Sequence, residues 1–132
     1  MTKCRQKNSD LFPSDSIGFL HISDSFIVKI LFVHHDLPGQ FGPLIQALLK
    51  VPEHQIVGIH SIHRRSDEPM EIPCYAYAPE SIDKAHVADV RALEAFSNGR
   101  AVARRLLELK SLGFLPDIVI GHLGWGETLY IK

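Results

Sequence analysis

The hydrophobic positions of this 132-residue chain fall into runs separated by polar, proline- and glycine-bearing stretches, and the runs differ in period. Residues 26–33 (FIVKILFV) form a nearly unbroken β-branched and aromatic stretch, the composition of a strand covered on both faces. His34-His35-Asp36-Leu37-Pro38-Gly39-Gln40-Phe41-Gly42 follows as a loop, and Pro43 suits the first turn of a helix, where its missing N–H would be unpaired anyway. Leu44, Ile45, Leu48 and Leu49 give that helix an apolar face, and Val51-Pro52 ends it. Residues 55–62 (QIVGIHSI) read as a second buried strand with Gly58 inside it. Strand, loop, helix and strand in this order make the βαβ unit of a parallel sheet.

Residues 64–79 carry three prolines and predict an irregular connection with room for a short strand at 73–78. From 81 to 112 the pattern is helical: Leu93, Phe96, Gly99, Ala103, Leu106 and Leu109 recur at steps of three or four, with arginines and glutamates mainly on the other face. Gly113 sits where a left-handed capping residue belongs, with Pro116 just beyond. Residues 117–121 predict another short buried strand, 122–126 a loop, and 127–132 the start of a helix or strand. The fold class expected is α/β, a Rossmann-like parallel sheet flanked by helices. Residues 1–25 show neither period and read as a poorly ordered leader, the organised domain running from 26 to 132; the apolar run at 17–22 leaves open an added edge strand.

Composition narrows the function classes. Fourteen basic and fifteen acidic residues give a formal charge of -1, so no broad field exists to hold nucleic acid, and an anionic ligand must be held locally. Cys4 and Cys74 stand in unlike contexts and suggest neither a disulfide framework nor a zinc site. No apolar run reaches the about 20 residues that a membrane helix needs, which predicts a cytoplasmic protein, peripheral at the inner membrane face if it works on lipid.

In an open parallel sheet, ligands bind beyond the carboxyl ends of the strands, which singles out the loops 34–42 and 121–127. In the first, Gly39 and Gly42 either let backbone N–H groups approach a phosphate or serve only a tight turn; a full dinucleotide fingerprint is absent, which argues against a nicotinamide or flavin. Asp36 is its polar candidate, for a ligand or for a side-chain turn bond. The second loop gathers His122, Trp125, Glu127 and three glycines. His122 could hold a sugar hydroxyl or stabilise charge at a reacting centre, and Trp125 could stack on a sugar face or pack in the core. Glu127 could act as a base or be a first-turn acid favoured by a helix dipole. His34 and His35 should point to opposite faces of their strand, and His60 and His63 lack a third ligand, so no metal site is expected.

Residues 28–44 resemble the opening of family 4 glycosyltransferases of the GT-B architecture. Residues 116–122, followed by Gly124-Trp125-Gly126-Glu127, resemble a subgroup signature of the same domain. The resemblance implies the N-terminal, acceptor-side half of a retaining enzyme. That enzyme moves a sugar from a nucleotide-sugar donor to a carbohydrate or glycolipid acceptor with no cofactor and no metal. It matches Gly39, Gln40, Phe41 and Gly42 to the loop facing the donor diphosphate and His122 to a catalytic position near the reacting sugar; Asp36, Trp125 and Glu127 are left for acceptor or sugar contact. The family's paired glutamates and basic phosphate-binding residues belong to a C-terminal domain with no counterpart here. A domain truncated at its C-terminal end, inactive alone and able to self-associate through its inter-domain face, is therefore expected. The alternative is a non-catalytic nucleotide- or sugar-binding module of the same fold.

Overall fold

The computed structural model describes residues 27–82 and 89–132; the leader, its candidate edge strand at 17–22, and residues 83–88 lie outside them. Four strands, β1 (Lys29–Val33), β2 (Gln55–Ser61), β3 (Cys74–Tyr77) and β4 (Ile118–Gly121), form one sheet in the order β3-β2-β1-β4, with every pair parallel. Helix α1 (Gly42–Leu48) joins β1 to β2, and α2 (Val90–Ser111) lies between β3 and β4. The result is the expected α/β Rossmann-like arrangement.

The side-chain alternation of β1 explains why its sequence is apolar throughout. Leu31 and Val33 enter a cluster with Val57, Ile59, Tyr77, Val102 and Phe114 on the α2 side. Ile30 and Phe32 face the other way, into a cluster with Leu37, Ile45, Ile56, Ile72 and Cys74. Strands buried on both faces cannot show a polar-apolar alternation.

Both helices are shorter or turned differently from their sequence pattern. Helix α1 has seven residues, too few to lay four apolar side chains on the sheet; Ile45 is buried, whereas Leu44 and Leu49 are exposed. Helix α2 starts at Val90, capped by the Asp89 carboxylate, which accepts from the Ala92 N–H at 3.2 Å; residues 81 and 82 are not helical. Its buried positions are Ser97, Gly99, Ala101, Val102 and Leu109, while Leu93 and Phe96 are exposed. Small residues occupy the contact because the residues after β4 approach α2 closely there: a Cβ on Gly99 would lie 2.7 Å from the Gly126 carbonyl oxygen and 2.9 Å from the Tyr130 ring. At the other end the glycine signal holds. Gly113 has φ 86, its N–H donates to the Lys110 carbonyl, and the Phe114 N–H reaches back to Leu109, the paired bonds of a Schellman motif.

Candidate functional site

The strand order places the site. From β1 the chain moves outward through β2 to β3, then α2 carries it back across to β4 on the far side of β1. The direction of winding reverses between β1 and β4, and the crevice outside the carboxyl ends of these two strands is where such sheets take ligands. His34 and His35 follow β1 directly, and His122 follows β4.

The three imidazoles meet there. His34 and His122 have ring centroids 5.6 Å apart, edge to face, and His34 and His35 are 4.6 Å apart. The expectation that His34 and His35 diverge to opposite faces fails because regular strand ends at Val33 and His35 enters a turn. Trp125, 53% exposed, rests on His35 with centroids 4.9 Å apart. Glu127 lies beneath, almost completely buried, and accepts the Tyr77 hydroxyl hydrogen at 3.1 Å. Residues 127–130 form a turn and not a helix, so no helix dipole accounts for Glu127.

Local bonding fixes how each ring is presented. The Asp36 N–H donates to Nδ1 of His34 and the Gly124 N–H to Nδ1 of His122, both at 3.1 Å. A nitrogen that accepts must be unprotonated, so each neutral ring carries its hydrogen on Nε2. Burial lowers the pKa of His34 below its ordinary 6.5, the Glu127 charge only partly opposing it. Burial raises the Tyr77 hydroxyl, and the Glu127 charge adds to the effect, which keeps it a donor to that carboxylate.

Two loop glycines make room for these rings: a Cβ on Gly39 would come 3.3 Å from the His34 ring, and one on Gly124 only 2.5 Å from the His122 ring. Gly126 has φ 85 and meets Ala95 of α2 backbone to backbone, and the Asn98 amide donates to the Trp125 carbonyl at 2.9 Å. The loop is thus pinned to α2, and Trp125 is held over His35. Beside it opens a cleft of about 610 Å³ lined by His35, Ser61, Tyr77, Asn98 and Trp125 among others, within the size range of small-ligand sites.

The first loop's other candidates lie at different distances from this cluster. Gly39 to Phe41 form a 3-10 turn that runs straight into α1, with Pro43 in its first turn as expected. Gln40 is exposed, while Phe41 packs on Phe32 and His34, with centroids 5.6 Å from each. Asp36 turns away: its Oδ1 accepts the N–H groups of Arg65 and Ser66, both at 2.9 Å, and these bonds hold its carboxyl below the usual range. His60, buried in β2 with Nδ1 2.8 Å from the Ser61 carbonyl, and the exposed His63 stand apart from each other in role; among the described residues no group of three or more ligand-type side chains could hold a metal. His34, His35 and Tyr77 were not selected from sequence, although the argument that chose His122, a polar residue just past a strand's carboxyl end, applies equally to the two histidines.

A model of the glycosyl transferase family 4 group matches residues 52–132, more than half of the chain. The chain belongs to this family. No curated protein and no solved structure matches it. The family 4 match takes in β2, β3, α2, β4 and the loop bearing His122, Trp125 and Glu127; it leaves the 34–42 loop outside. Sugar transfer from a donor to an acceptor is the function this membership carries. Among the described residues, no helix of this family 4 domain is long and apolar enough to cross a membrane.

Proposed function

We propose that this chain is the N-terminal, acceptor-side domain of a retaining glycosyltransferase that takes a sugar from a nucleotide-sugar donor and gives it to a carbohydrate or glycolipid acceptor. The observation that carries the reading is the meeting of His34, His35 and His122, with the half-exposed Trp125 resting on His35, at the winding reversal between β1 and β4. Imidazole N–H groups suit sugar and phosphate oxygens, and an indole face suits the C–H side of a pyranose. In this reading His122 stands nearest the reacting sugar, Trp125 contacts the acceptor, and the turn Gly39 to Gly42 faces the donor diphosphate. Asp36 acts one step removed, by holding the 65–66 segment.

A second domain of the same architecture completes the enzyme by gripping the nucleotide. Exposed Phe96, Leu123, Trp125, Leu129 and Tyr130 on α2 and the residues after β4 support an apolar inter-domain face. The test is a transfer assay on the purified 132-residue chain, paired with calorimetry against nucleoside diphosphate sugars and simple hexosides. No turnover and at most weak donor binding are expected. Measurable transfer would refute the need for a second domain, and tight donor binding without transfer would instead make the chain a non-catalytic binding module.

A further inference from the structure

Glu127 is 1% exposed, and while Oε1 accepts from Tyr77, its Oε2 has no hydrogen-bond partner among the described residues. Nδ1 of His35 is equally shut off from solvent and equally without a hydrogen bond, and it stands 3.9 Å from Oε1 of the same carboxylate. An orphaned ring nitrogen and a carboxylate with an orphaned oxygen, buried this close, are costly while unpaired, which favours their pairing. An ionised carboxylate can only accept. Pairing therefore puts the His35 proton on Nδ1 and leaves the lone pair on Nε2, at the opposite edge of the ring, in a residue that lines the cleft. His34 and His122 carry the reverse assignment, since backbone N–H groups already donate to their Nδ1 atoms.

We propose that Glu127 is a positioning residue that fixes His35 as the hydrogen-bond acceptor in a cluster whose other two imidazoles are donors. Such a cluster is matched to a polyhydroxylated ligand. One hydroxyl donates to Nε2 of His35 in the cleft, and a neighbouring oxygen accepts from Nε2–H of the partly exposed His122, while His34 is buried behind them. A purely anionic ligand would be served better by three donors. The hydroxyl ligand rests on the acceptor-side reading above, whereas the positioning role of Glu127 does not.

Ring nitrogen chemical shifts of the ¹⁵N-labelled full chain, recorded without ligand at a pH where its imidazoles are neutral, report each tautomer directly. The expected pattern is Nδ1–H for His35 and Nε2–H for His34 and His122. In Glu127→Leu, which keeps bulk but removes the acceptor, His35 should revert to the Nε2–H form that unconstrained imidazole favours. An Nε2–H tautomer for His35 in the wild-type chain overturns the proposal, as does an Nδ1–H form that survives in Glu127→Leu. Should that variant not fold, the wild-type assignment decides. Either failure leaves the glycosyltransferase reading standing, because that is tested by calorimetry and transfer; calorimetric silence toward hexosides removes the hydroxyl ligand and leaves Glu127 its positioning role.

Discussion

Gly126 and Ala95 touch backbone to backbone: a Cβ on Gly126 would lie 2.3 Å from the Ala95 carbonyl oxygen. Gly113 has nearly the same φ, 86 against 85, yet nothing stands within 4 Å of its missing Cβ. The pair separates conformational cost from collision. Gly113→Ala should cost about 1–2 kcal/mol, the ordinary penalty for a left-handed L-residue. Gly126→Ala should cost clearly more and also dislodge Trp125 from His35. Urea unfolding of both variants checks this, and equal losses would mean that the loop yields without resistance.

Gly58 makes a similar prediction inside the sheet. Its Cβ would fall 2.8 Å from the Cys74 sulfur and 3.0 Å from a Leu37 methyl carbon. Gly58→Ala should destabilise by about 1–3 kcal/mol, as overpacked cores do. Cys74→Ala in the same chain should recover part of that, a coupling visible in a double-mutant thermal series.

Asp36→Ala strips the acceptor from two backbone N–H groups, those of Arg65 and Ser66. A loss of about 1–3 kcal/mol is expected, with Asp36→Asn milder because its carbonyl can still accept. Hydrogen exchange at the Arg65 and Ser66 amides should speed up in the alanine variant.

Stability should also fall on mild acidification. His34 and His60 both have pKa values lowered by burial from the ordinary 6.5, so the unfolded chain takes up protons that the fold resists. The stability is therefore complete above 6.5, declines as pH drops below that value, and stops declining only beneath the depressed folded values. Melting temperatures across this range should show the decline, and His60→Gln should flatten it.

What the sequence disclosed follows from how local each signal is. The apolar run of β1, Pro43 in the first turn of α1 and Gly113 past the end of α2 all act within a few residues, and all stand where they were expected. The contact face of α2 was legible in part: Gly99 and Leu109 of the periodic set are buried, whereas Leu93 and Phe96 are exposed, because the helix presses closest on the residues after β4 at Gly99, where only a small residue fits. The site was half legible. His122 and Trp125 advertise themselves within one loop, but Tyr77 meets Glu127 across fifty positions, and His35 meets Trp125 only because α2 carries the chain back across the sheet. Such pairings depend on topology, which no window of sequence contains.

Trp125 is the chain's single tryptophan, and it lies on His35 at the mouth of the cleft. All indole emission from this protein therefore originates at one loop. Occupancy of the cleft, or release of the loop from α2, can be read optically with no label, and the signal needs no deconvolution from other indoles.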